Sequence, residues 1–157
     1  ANLSLCDVVC LAGRHGLSLT EEEADNLRRY LANGGFLLPE ARLGDARFPR
    51  SAKSLAEVLG LSMAPPAGAS MLTGQFGDNA TGFDVRKTHR RADGELTVEK
   101  TDLRVLKLDG NAVGLFSPLD LGVSATGIRC WGLRGYAPTD ARRILANVIL
   151  SRSASRE

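Results

Sequence analysis

The sequence predicts an α/β domain built on a mostly parallel sheet that also carries an antiparallel hairpin (Leu103–Phe116). Three observations lead there. Near the N-terminal end a short apolar run, an amphipathic helical pattern and a second short apolar run follow one another through short connections, the order of a βαβ unit. Farther on, Asp109-Gly110 separates two apolar runs, and Asp-Gly suits a two-residue type I′ turn. The composition of the 157 residues, 43% hydrophobic and 24% charged, is that of a globular chain and excludes a disordered or collagen-like one.

The elements follow in order. Residues 3–12 (LSLCDVVCLA) read as a buried strand leading into the loop Gly13-Arg14-His15-Gly16. Thr20 with Glu23 forms a capping box, and Glu21, Glu22, Glu23 and Asp25 place negative charge at the positive end of the helix dipole. Leu27, Tyr30 and Leu31 give that helix its apolar face, and Asn33-Gly34-Gly35 ends it. Residues 35–38 form a second buried strand, broken by Pro39. Ser51 is placed to cap a helix over 52–59, with Leu55, Val58 and Leu59 at helical spacing, and 64–68 (APPAG) is a connector. Residues 83–89 alternate as a half-exposed strand. After the hairpin, Thr139 opens a helix through about Leu150, and 151–157 is a polar tail, so that 1–150 is one domain.

Composition also bounds function. The net charge, 20 − 18 = +2, selects no partner, and eight aromatics without interleaved cations disfavour nucleic acid. No apolar run approaches the roughly 18 residues of a membrane-spanning helix; the longest, residues 5–12, already contains Asp7. Three cysteines are too few and too badly spaced for a disulfide framework or a four-ligand zinc site, and Cys6 and Cys10 are expected to be packing residues of the first strand. The chain begins at Ala1, which is read as either signal-peptide removal or a fragment boundary.

In an open parallel sheet, ligands bind beyond the carboxyl ends of the strands. That rule selects three loops, and His15, Glu40, Arg42, Asp45, Ser117 and Asp120 share one rim if the three strands are parallel neighbours. Solvated, helix-capping loop residues are the ordinary alternative. A metal held by Glu40, Asp45 and Asp120, or a Cys130 nucleophile served by His15 or His89, is a conceivable chemistry; surface acids and a packing thiol beside Trp131 are the plainer readings. Ser117 is followed by Pro118, which lacks the N–H that usually helps to form an oxyanion hole just after a nucleophile. Arg86, Lys87, Arg90 and Arg91, and Arg129, Arg134, Arg142 and Arg143, form two basic clusters that suit an anionic ligand, an acidic partner or simply a solvated face.

The runs Leu19-Thr20-Glu21-Glu22-Glu23, Leu27-Arg28-Arg29-Tyr30-Leu31 and Gly34-Gly35-Phe36-Leu37-Leu38 are followed by a second group. It comprises Val113-Gly114-Leu115-Phe116-Ser117-Pro118-Leu119-Asp120-Leu121-Gly122, Arg134-Gly135-Tyr136 and Asp140-Ala141-Arg142-Arg143-Ile144 with Asn147. Together they resemble the bacterial domain-of-unknown-function family 4159, from about Leu11 to Leu150 and weakly across 64–101. The resemblance implies a three-layer, flavodoxin-related fold like that of class I glutamine amidotransferases, lacking here the family's first strand and helix. It also implies an exported or membrane-tethered setting. The loop after the second strand departs from the family pattern of acid, small residue, cysteine and glycine: it reads Glu40-Ala41-Arg42-Leu43-Gly44, and no Gly-x-Cys-x-Gly elbow occurs in the chain. A thiol-dependent glutaminase is therefore disfavoured.

The expectation is a non-catalytic binding or assembly module of a larger bacterial envelope protein or complex, extracytoplasmic or membrane-associated through a partner or an upstream segment. Its ligand- or partner-binding residues are Glu40, Asp120, Arg134, His15 and Ser117, with no catalytic residue, metal or cofactor assigned. A protein partner, or the remainder of a longer chain, is expected. The alternative is a hydrolase using a carboxylate, His15 or metal-assisted site at the strand ends.

Overall fold

The first apolar run folds later and shorter than its hydropathy suggests. In the computed structural model, which describes residues 3–66, 88–90, 95–98, 103–128 and 131–154, Leu3–Leu5 form a single 3-10 turn and strand β1 is confined to Val8–Gly13. Asp7, a poor strand former, marks the boundary, and its carbonyl accepts the Phe36 N–H at 3.1 Å.

Helix α1 (Glu21–Ala32) starts where its capping box directs. Thr20 Oγ1 accepts the Glu23 N–H at 3.3 Å and the Glu23 carboxylate accepts the Thr20 N–H at 2.8 Å. Ala24, Leu27, Tyr30 and Leu31 form its buried face. Gly35 follows directly beneath Tyr30, so close that a Cβ there would stand 2.3 Å from the ring. Strand β2 (Phe36–Ala41) then runs parallel to β1, from Val8 opposite Phe36 to Gly13 opposite Ala41.

Pro39 does not end β2. In the alternating ladder its missing donor falls on the side of the neighbouring strand, where it removes one rung. Its carbonyl still accepts the Ser117 N–H at 2.9 Å, and the rungs to β1 are untouched.

Helix α2 (Phe48–Val58) begins before the expected Ser51, because Pro49 is tolerated in a first turn and the Phe48 N–H bonds the Asp45 carbonyl at 3.2 Å. Strand β3 (Ser62–Ala64) comes next. The strands β4 (Thr88–Arg90) and β5 (Leu96–Val98) belong to a small separate sheet. Of the strand expected over 83–89, residues 83–87 lie outside the described residues. The hairpin forms as expected from β6 (Arg104–Leu108) and β7 (Asn111–Phe116). Asp109 and Gly110 both have positive φ, 50° and 85°, the type I′ signature. Helix α3 (Gly122–Thr126), strand β8 (Gly135–Tyr136) and helix α4 (Pro138–Ala154) complete the described elements; α4 continues beyond Leu150 through Ala154.

The main sheet has the order β1-β2-β7-β6-β3. Its first three strands are parallel neighbours, and the hairpin and β3 add two antiparallel pairings, so the sheet is mixed rather than mostly parallel. Helices α1 and α2 pack with Leu37, Ala41 and Leu106 in one apolar cluster, whereas α4 packs with Phe36, Leu38, Val105 and Leu115 in another. Helices thus cover both faces, an arrangement compatible with a three-layer α/β fold. Cys6 and Cys10 are not packing residues: both are exposed. For Cys10 the reason is position: among the described residues β1 is an edge strand and, on the α4 face, Val8 alone of its residues reaches the helix-covered cluster, while Cys6 precedes the strand.

Candidate functional site

After β2 the chain turns to α2 on one face, and after β7 it turns to α3 and α4 on the other. The crevice between two parallel strands whose chains part in this way is where α/β sheets place ligands. Glu40 and Ser117 lie opposite each other there. The rim therefore assembles: Glu40 ends β2, Ser117 and Asp120 follow β7, His15 follows β1, and Arg134 is tied in through its backbone.

The three central residues are enclosed, with Glu40 5%, Ser117 0% and Asp120 0% exposed. Most of their polar atoms are held by the protein's own groups, chiefly backbone. Glu40 Oε2 accepts the N–H groups of Leu121 at 2.8 Å and Gly122 at 2.9 Å. Asp120 Oδ1 accepts those of Val123 at 2.8 Å and Ser124 at 3.1 Å, capping α3, while its Oδ2 takes the Leu43 N–H at 2.7 Å. The Ser117 hydroxyl donates to the Leu119 carbonyl at 2.7 Å and lies 3.1 Å from the Tyr136 hydroxyl.

The loops are knotted together as well. Arg134 receives the Asp120 N–H on its carbonyl and donates its own N–H to Leu43. Gly44 sits against it at φ +69°, where a Cβ would stand 2.2 Å from the Arg134 carbonyl oxygen; only glycine meets both demands.

Burial pushes the Glu40 carboxyl above its ordinary range, against the two N–H donors that pull it down, with nearby Asp120 adding to the rise and Arg42 opposing it. Cys10, beside these carboxylates, has its thiol pushed up to about 11, by desolvation first and then by Glu40 and Asp120. Asp45 belongs to a separate cluster. Arg47 holds its carboxyl well below the usual range through side-chain and backbone hydrogen bonds, and His15 contributes a smaller attraction. A metal or hydrolytic centre drawing on Glu40, Asp45 and Asp120 would have to displace these contacts.

The outer rim comprises the exposed His15, Arg42 and Arg134. Of the basic clusters, Arg142 is taken up by the Ala125 carbonyl and Arg143 lies 3.7 Å from Asp140. Arg86, Lys87, Arg91, Arg129 and Cys130 are outside the described residues, and for Arg90 and His89 only the backbone is described. Among the described residues no group of three or more His, Cys, Asp or Glu side chains is arranged to hold a metal ion.

Sequence reasoning missed Tyr136 as the partner of Ser117, whereas the helix-capping alternative it carried for the rim residues describes Asp120, whose carboxylate takes the Val123 and Ser124 N–H groups at the start of α3. Comparison with protein-family models, with curated proteins and with solved structures finds no match to this chain.

Proposed function

We propose that this chain is a non-catalytic, amidotransferase-like module that binds or assembles with a protein strand in a larger bacterial envelope protein or complex. The envelope setting and the amidotransferase kinship rest on the sequence resemblance to family 4159. The binding role rests on one observation, the free side of β1.

Edge strands are ordinarily blunted by charge, proline, a bulge or a covering element. Val8–Gly13 (VVCLAG) has no charged residue and no proline, and β1 pairs in register along its whole length with β2, the one strand beside it among the described residues. The Phe36 N–H bonds to Asp7, so the alternation of a parallel ladder turns the backbone groups of Val8, Cys10 and Ala12 to the free side. Cys10 within the strand, and Leu5 and Cys6 just before it, are exposed. Such an edge takes up an extended segment by strand addition, supplied by a partner protein or by the rest of a longer chain. The rim supports the non-catalytic half of the reading, because its buried acids hold loops in place.

The test is a photocrosslinking residue at position 10 in the native host, with crosslinked peptides read by mass spectrometry. Adducts should map to an extended segment, of another protein or of the same polypeptide, and should vanish in Ala12→Pro, which removes only an outward N–H. Adducts that persist in A12P, or that form only with a probe at position 134 on the rim, would overturn the reading.

A further inference from the structure

The amino ends of the parallel strands, opposite the rim, border a half-open cavity of about 340 Å³ between the end of α1, the β6–β7 turn and the last turns of α4. The buried Leu31 and Val113 give it apolar walls, Asp109 and Asn111 border it on the hairpin side, and Arg152 enters from α4.

Arg152 is fixed but unfinished. Its Nη2 donates to the Gly34 carbonyl at 2.5 Å, and its guanidinium carbon lies 5.7 Å from the centre of the Phe36 ring. Its Nε is enclosed and has no acceptor. Among the described residues no carboxylate lies within ion-pair distance of it. A buried N–H of a charged group without an acceptor is rare in folded proteins, and the Gly34 bond uses only one of the guanidinium's five donors. Stacking and the Gly34 bond hold the planar fork in one orientation, which suits an oxyanion.

The surroundings choose among oxyanions. Asp109 and the carbonyl end of α1 carry negative charge and partial charge beside a single cation, so a dianion is opposed while a monoanion is matched. Leu31 and Val113 offer contact to a short hydrocarbon body. We propose that this cavity binds a small aliphatic carboxylate, with its charge on Arg152 and its chain against Leu31 and Val113. The Asn111 side-chain amide makes no hydrogen bond among the described residues and is placed to donate to the same ligand.

The proposal is tested by titrating the 157-residue chain with isovalerate, with its neutral isostere 3-methylbutanamide and with inorganic phosphate, following backbone amides by NMR. Isovalerate should shift Gly34, Gly35, Asn111 and Val113 saturably, with the neutral amide about tenfold weaker or more. Arg152→Gln should lose isovalerate by the same factor. Ala112→Trp, which fills the cavity and leaves Arg152 in place, should lose it too and covers the case in which R152Q fails to fold. Equal binding of acid and amide, undiminished binding in either variant, or shifts confined to the Glu40–Asp120 end would overturn the site. Stronger binding of phosphate than of isovalerate would overturn the monoanion assignment.

Discussion

Glu40 shows how one carboxylate can hold a fold together at an electrostatic penalty. Its hydrogen bonds to Leu121 and Gly122 join the end of β2 to the start of α3, yet burial keeps its carboxyl above the ordinary 4.5. Below that ordinary value both folded and unfolded chains carry the proton, and the contribution to stability is complete. As pH rises toward and through the raised folded value, the unfolded chain has already ionised, and this part of the stability is lost. Glu40→Gln keeps an acceptor for the two N–H groups without the charge. Its thermal midpoint should match wild type near pH 4 and exceed it at pH 8 by a few degrees, roughly 1 kcal/mol. Glu40→Ala, which strands both donors, should instead cost about 1–3 kcal/mol at either pH. The same charge acts on Cys10. With its thiol at about 11 instead of 9.0, Cys10 should be alkylated at pH 8 at least tenfold more slowly than an unperturbed thiol. In E40Q the labelling should speed up, read peptide by peptide in a mass spectrometer; an unchanged rate would show that the two groups do not interact.

At the scale of elements, what the sequence made legible is what neighbouring residues decide among themselves. Thr20 and Glu23 satisfy each other across one turn, and Asp109-Gly110 adopts the two positive φ values a tight hairpin needs. Thr20→Ala removes the hydroxyl half of the box, leaves the Glu23 carboxylate on the N–H of residue 20, and should destabilise the domain by about 1 kcal/mol. Part of that loss should fade as pH falls, because the Thr20 hydroxyl adds to the backbone N–H of residue 20 in holding the Glu23 carboxyl below its ordinary value, and the hydroxyl's share disappears when Glu23 takes up a proton. Gly110→Val should cost roughly 1–2 kcal/mol in a denaturant titration, since a branched side chain resists the left-handed region. The elements that were not legible depend on distant partners. Pro39 is harmless because its lost donor meets only one rung toward β7, and β3 exists because β6 offers it an edge. The candidate site divides the same way: parallel strands bring Glu40, Ser117 and Asp120 together, as the loop pattern implies, but nothing local says that Leu121, Gly122, Val123 and Leu43 will consume their oxygens.

Among the described residues the molecule is a sheet covered on both faces, with β1 unpaired along its outer side. Strand order, which no single segment encodes, decides that Cys10 and Ala12 face outward while the equally apolar β2 is buried at every position. The parallel register fixes which backbone groups are committed: Val9 and Leu11 donate to β2, and Val8, Cys10 and Ala12 do not. Amide exchange measured residue by residue should therefore alternate along β1, slow at Val9 and Leu11 and fast at Val8, Cys10 and Ala12, although all five are in one strand. Proline scanning should follow the same alternation. Leu11→Pro breaks a rung and should destabilise the domain by about 3 kcal/mol, whereas A12P should leave the unfolding midpoint nearly unchanged. When an extended segment docks, the three fast amides should slow together, because its carbonyls complete the ladder on that side. Uniform protection along β1 in the isolated chain, or an A12P variant as unstable as L11P, would mean that this edge is already paired and has nothing left to offer a partner.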